Sequence, residues 1–123
     1  MSEIKQLKRV GFFRELPHGD PEGPSLKHFS AAVALQENAR IVSYLRSGAL
    51  FIASPGLSRD VLSDEHPIIG SLALWTDGTF LWPSDLSHYV EKYSVGLPRE
   101  FIKHMEGNAW TVPAGIDIFS LED

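Results

Sequence analysis

The dipeptide Asp77-Gly78 stands between two apolar runs, Ser71-Leu72-Ala73-Leu74-Trp75-Thr76 and Thr79-Phe80-Leu81-Trp82. No other stretch constrains the fold as much. Asp-Gly in that setting is the signature of a β-hairpin closed by a two-residue type I′ turn, in which both central residues take positive φ. Pro83 follows and ends the second strand, because it has no N–H to give to the ladder. A two-residue turn sets the register: Thr76 opposite Thr79, Trp75 opposite Phe80, Leu74 opposite Leu81 and Ala73 opposite Trp82. Alternation then puts Ala73, Trp75, Phe80 and Trp82 on one face and Leu72, Leu74, Leu81 and the two threonines on the other. Both faces are largely apolar, so the hairpin is expected at the centre of a sheet, or with one face that meets something else. The aromatic face reads first as core, since cross-strand aromatic pairs stabilise sheets. Its alternative is an anchor surface for a partner or a second copy.

Lys8 to Arg14 reads as a first strand with Val10 and Phe12 on one face. The loop Pro17-His18-Gly19-Asp20-Pro21-Glu22-Gly23-Pro24 follows and cannot hold regular structure. Ser25 or Ser30 is placed to cap a helix. The stretch from Ala34 to Ser47 is helical in pattern, with Leu35, Asn38, Ile41, Val42 and Leu45 on one stripe and Gly48 as a left-handed C′ residue. Ala49 to Ala53 reads as a strand buried on both faces and closed by Pro55-Gly56. Ser84 is set to cap a helix from Asp85, with Leu86, Tyr89, Val90 and Tyr93 at helical spacing and Gly96 as its end. Pro98 opens a second helix at its first position, with Leu97, Phe101, Ile102 and Met105 as its apolar face and Gly107 as its end. Trp110-Thr111-Val112 and Ile116 to Phe119 are short apolar segments, the second an edge-strand candidate. The pattern predicts one α+β domain over residues 1–123: a four- to five-stranded, mostly antiparallel sheet with a central hairpin and about three helices packed on it.

The chain has no cysteine, which removes disulfides, thiol catalysis and Cys-based zinc sites. Net charge is −5, the wrong sign for a dedicated nucleic-acid binder. The first residues carry charge where a signal peptide needs an apolar run, and the longest apolar run is far too short for a membrane span, so a cytoplasmic protein is expected. The charge is unevenly placed. Residues 1–61 hold eight basic and six acidic side chains, residues 62–123 three basic and ten acidic. Such an acidic half can steer a basic protein by complementary potential. The commoner reading of surface acid is solubility.

No motif fixes a chemistry. The five histidines, His18, His28, His66, His88 and His104, show no metal-ligand spacing. His18, Asp20 and Glu22 share a loop, but turn chemistry accounts for their composition, and a metal site would need three or four convergent ligands. His88 reads as a partly exposed surface residue. Serine, histidine and aspartate are present without a nucleophile elbow. Arg14, Glu15, His18 and Asp20 are the candidates for a small pocket, and no cofactor is expected.

The segment Trp75-Thr-Asp-Gly-Thr-Phe-Leu-Trp-Pro-Ser-Asp-Leu-Ser-His-Tyr-Val-Glu-Lys-Tyr93, running on to Leu97-Pro-Arg-Glu-Phe101, joins Gly11-Phe-Phe-Arg-Glu-Leu-Pro-His-Gly19 in a recognisable pattern. It resembles small bacterial immunity proteins encoded beside polymorphic or contact-dependent toxins. Members carry tryptophan where this chain has Phe80. The resemblance implies a non-catalytic binding protein that neutralises a toxin domain, such as a nuclease, through a complex. With the charge pattern it points to Asp64, Glu65, Asp77, Asp85, Glu91, Trp75 and Trp82 as partner-binding residues. The alternative is a small cytosolic enzyme or ligand-binding domain with a pocket near Arg14, Glu15, His18 and Asp20.

Overall fold

The computed structural model describes residues 4–25 and 38–123. Its elements are β1 (Lys5–Gln6), β2 (Lys8–Arg9), α1 (Asn38–Arg46), β3 (Ala49–Arg59), β4 (Ile68–Thr76), β5 (Phe80–Pro83), α2 (Leu86–Tyr93), α3 (Arg99–Gly107), a 3-10 turn (Ile118–Ser120) and β6 (Leu121–Glu122). Four strands form one mixed sheet in the order β2-β5-β4-β3, and β1 and β6 form a separate pair. β3/β4 and β4/β5 are antiparallel, whereas β2/β5 and β1/β6 are parallel. This is the expected α+β arrangement, with the hairpin strands inside the sheet. His28, the cap candidate Ser30 and the helical stretch before Asn38 lie outside the described residues.

The two apolar faces of the hairpin each meet a different layer. Phe80 and Trp82 are buried against Ile41, Val42, Tyr44 and Leu45 of α1, Leu86, Tyr89 and Val90 of α2, and Phe101 and Met105 of α3. Trp82 is the pivot: its ring lies 6.1 Å from that of Tyr44 and 5.5 Å from that of Phe101, and its Nε1 donates to the Leu45 carbonyl at 3.0 Å. Leu81 points the other way, into a smaller cluster with Leu7 and Phe12, bordered by Phe51, Leu74 and Leu121.

The hairpin register differs from the expected one. Thr76 pairs with Leu81, Trp75 with Trp82 and Leu74 with Pro83. Four residues therefore separate the innermost pair. Gly78 alone in the turn takes positive φ, at 95°. Asp77 instead uses its side chain, with Oδ1 accepting from the Thr79 and Phe80 N–H groups at 2.9 and 2.7 Å. A type I′ turn needs both residues left-handed, so this side-chain turn displaces it. The slip is by two residues, which keeps every side chain on its expected face.

β3 corrects a second expectation. It runs through Pro55-Gly56 and, among the described strands, forms an edge of the sheet, paired to β4 alone. Ala53 pairs with Ala73 and Leu57 with Ser71, so three residues of β3 stand against Leu72 in a bulge. Proline is tolerated there because an edge strand has one side free of ladder bonds. Leu50 and Ile52 are 51% and 48% exposed, not buried on both faces.

The remaining corrections are local. Gly11 takes φ 83° and turns the chain, so Val10 enters the large cluster and Phe12 the small one; the first strand is two short pieces ending at Arg9. Gly48 is not left-handed; it is needed for space, since a Cβ there would lie 2.7 Å from the Trp82 ring. Ser84 does not cap α2. Its hydroxyl accepts from the Ala73 N–H and donates to the Ser71 carbonyl, while Asp85 occupies the cap position without a side-chain cap bond. α2 ends at Ser94, φ 52°, ahead of Gly96. Pro98 is the N-cap of α3, one place earlier than expected. The 116–119 segment enters a 3-10 turn in place of a strand, with Phe119 91% exposed.

Candidate functional site

Three aspartates, Asp60, Asp77 and Asp85, have side chains with no exposed area. Burying a carboxylate is costly unless it is paired and hydrogen-bonded, so each should have a dense set of partners. Each in fact faces a histidine from a different element.

Asp60 follows β3. Its Oδ1 accepts from the Leu62 and Ser63 N–H groups, shaping the loop to Ile68. Its Oδ2 meets His88 Nε2 of α2 at 2.8 Å and accepts from the Tyr93 hydroxyl at 2.8 Å, with Lys92 Nζ at 3.7 Å. Asp77 holds the hairpin turn through Oδ1. Its Oδ2 accepts from the Tyr44 hydroxyl at 2.5 Å and lies 3.2 Å from His104 Nε2, and Asn108 donates to the Tyr44 oxygen. Asp85 accepts from the Ser58 hydroxyl at 2.6 Å and has His18 Nε2 at 3.0 Å without hydrogen-bond alignment; its Oδ1 has no partner. A cavity of about 130 Å³ opens beside His18 and Ser58, walled by Pro17, Leu57 and Val61.

The order of the last group matters chemically. Nucleophilic catalysis needs a histidine between serine and aspartate, so that the imidazole takes the hydroxyl proton. Here the carboxylate stands between Ser58 and His18. The other two aspartates each fix a turn through backbone N–H groups, which is a structural use of the carboxylate. Among the described residues no three His, Asp or Glu side chains gather as a metal site, and no helix is long and apolar enough to cross a membrane.

These networks leave a signature in titration. Burial pushes the Asp60 carboxyl up, but hydrogen bonds from His88, Tyr93 and the Leu62 N–H outweigh it and hold the carboxyl below its ordinary 3.8. All three tyrosines of the chain shift upward. Burial, then the bond to Asp60, pushes Tyr93 up to about 12; burial and Asp77 push Tyr44 higher still, and burial does the same for Tyr89. A lowered carboxyl contributes stability that is present above the unfolded value and lost as pH falls through the folded one. A raised phenol contributes stability that is present below its ordinary 10.0 and lost as pH rises through the folded value. Thermal midpoints should therefore fall below the carboxylate range and again above pH 10. Phenolate absorbance should stay low at pH 10 and rise together with unfolding; three ordinary titrations near pH 10 would contradict the buried networks.

The seven partner-binding candidates divide. Asp64, Glu65 and Glu91 are exposed and Trp75 is partly buried. Asp77, Asp85 and Trp82 are buried and cannot present charge or ring to a partner, because the turn, the Ser58–His18 cluster and the helix layer use them. Glu91 forms a two-bonded pair with Arg46, at 3.1 and 3.3 Å. The four pocket candidates do not converge. Arg14 is exposed, Glu15 accepts from Ser25 at 2.5 Å, His18 faces Asp85 and Asp20 pairs with Arg9 at 3.2 Å. Successive tight turns, from the Phe13 carbonyl to Leu16 and the Leu16 carbonyl to Gly19, send their side chains apart. Asp20 alone joins an apolar cavity of about 240 Å³, with Arg9, Phe12, Phe13 and Leu97.

Sequence reasoning missed the uncovered surface. Leu50, Ile52 and Leu57 of the edge strand β3 and Ile68 of its neighbour β4 are each about half exposed. The apolar run at 49–53 was the signal, but a run alone does not separate a buried strand from an edge. No family model, curated protein or solved structure matches the chain.

Proposed function

We propose that the chain is a non-catalytic binding protein of the immunity type, acting in the cytoplasm, which neutralises a toxin domain by forming a complex with it. One observation carries this reading: Leu57 and Ile68 lie uncovered at the end of the β3–β4 hairpin whose loop holds the exposed carboxylates of Asp64 and Glu65, and Leu50 and Ile52 lie uncovered toward its other end. Exposed aliphatic clusters on a soluble domain mark interaction sites, and charge at their rim sets partner choice. The reading gains support from Asp60 and Asp77, whose buried carboxylates are used to hold turns. The acidic second half favours a basic partner. The test is co-expression with the domain encoded by the adjacent upstream gene. The chain should protect the host and co-purify with that domain in a stable complex; intact toxicity with no complex would end the proposal.

A further inference from the structure

We infer that the cavity between the turn after β2 and the α2–α3 connection binds a small aromatic cation: an aryl ring joined by a short arm to an ammonium group that meets Asp20. The site uses none of the residues of the proposed docking surface, so either can fail without the other. Its volume is about 240 Å³, and among the described residues three segments wall it: residues 9–13, Asp20 and Pro24 of the Pro/Gly loop, and residues 96–98. Small molecules bind in concave, mostly apolar sites that carry a few well-placed polar groups. Clefts for drug-sized ligands start at roughly 300 Å³, so this one suits a single ring on a short arm.

The walls favour a ring. Phe12, Phe13, Leu97 and Pro98 offer apolar and aromatic contact. Arg9 adds a flat guanidinium, which already lies 4.0 Å from the centroid of the Phe12 ring. Aromatic groups stack on both kinds of surface.

Charge selects the head group. Arg9 and Asp20 are the charged side chains of the described lining. Arg9 is matched twice, through Nη1 to Asp20 Oδ1 at 3.2 Å and through Nε to Asp123 Oδ1 at 3.4 Å. One guanidinium against two carboxylates leaves an excess of one negative charge. Asp20 Oδ2 is engaged by no hydrogen bond or ion pair among the described residues. The exposed Glu22 stands in an adjoining groove that shares Asp20, whereas the exposed Arg14 lines neither. An anionic ligand would have to take Arg9 from Asp20; an ammonium group pairs with Oδ2 and displaces nothing. A second copy is a poor occupant. Its protruding aromatic residue, Phe119, is 91% exposed, but the charges near it in sequence are Asp117, Glu122 and Asp123, all acidic like the mouth they would meet.

The test is an amide chemical-shift titration of the full chain with phenethylammonium, set against 3-phenylpropionate and n-butylammonium. Phenethylammonium should shift the amides of residues 9–13 and 96–97 saturably and bind about tenfold tighter than either control. Asp20→Asn should remove the preference for the cation over the anion. It should leave the thermal midpoint in place, because the Asp20 side chain is 44% exposed. Leu97→Trp, which fills the slot and keeps every charge, should abolish binding in a chain that still melts cooperatively. No saturable shift around the cavity would overturn the inference, as would an undiminished cation preference in the Asp20→Asn chain. Equal affinity for phenylpropionate would remove the role of charge, and equal affinity for butylammonium would remove the role of the ring; either result overturns it. Self-association of the chain that phenethylammonium disperses would give the cavity to a second copy instead.

Discussion

Trp82→Ala is expected to destabilise the domain by about 3 to 5 kcal/mol, the range for truncating a buried large aromatic. Trp82 is 1% exposed and is the contact shared by α1, α3 and the hairpin. Its removal leaves a cavity between the helix layer and the sheet and strips the Leu45 carbonyl of its donor. For a domain of this size the thermal midpoint should drop by roughly 10 °C or more. Trp82→Phe should cost less, because it keeps most of the ring volume and loses chiefly the hydrogen bond. Circular-dichroism melts of the three proteins check this ordering. Equal midpoints for the wild type and the alanine variant would mean that the ring is not in the core.

The second large effect belongs to Asp77. Asp77→Ala removes the acceptor of two turn N–H groups and of the buried Tyr44 hydroxyl in one step. Leaving buried donors without partners, and His104 without its carboxylate, should cost about 2 to 4 kcal/mol. Asp77→Asn should cost less than half of that, since its amide oxygen can still cap the turn. Urea melts with tyrosine absorbance as a second probe separate the two: the alanine variant should also bring the Tyr44 phenol closer to its ordinary titration. An alanine variant as stable as the wild type would remove the turn from the list of structures that hold the hairpin.

These two residues also mark how far the sequence could be read. That Trp82 is core follows from alternation alone, because position 82 shares a face with Phe80 and Trp75 whichever way the hairpin slips by two. The turn type does not follow. Asp77 can adopt positive φ or cap its own turn, and Tyr44 and His104, supplied by α1 and α3, stabilise the second choice. Those partners are distant in sequence, and no local pattern announces them. The same holds for Asp60 with His88 and for Asp85 with Ser58 and His18: surface-looking acids become interior ones only when a remote histidine or hydroxyl reaches them. Gly48 looked like a helix terminator and is instead a gap for the Trp82 ring. β3 failed for a different reason. Ala49–Ala53 is apolar enough for a central strand, and what makes it an edge is that no described strand lies beyond it.

The functional reading inherits this division. The sign and position of the exposed charge were legible, but two of the acids chosen for docking, Asp77 and Asp85, turned out to face inward. Of the acids that remain at the surface, Glu91 is paired with Arg46, and Asp64 and Glu65 stand on the loop next to the exposed Leu57 and Ile68, which the sequence did not reveal.

The central claim is that this chain works by occupying a partner and not by transforming it, and a stoichiometric titration tests that most directly. The activity of the proposed toxin partner, sought in the product of the adjacent upstream gene, is measured against increasing amounts of the chain. Inhibition should grow linearly and reach completion near one equivalent, and Leu57→Asp with Ile68→Asp should abolish it while the chain stays folded. Complete inactivation at a small fraction of an equivalent, continuing to progress with time, would identify a catalyst and contradict the account.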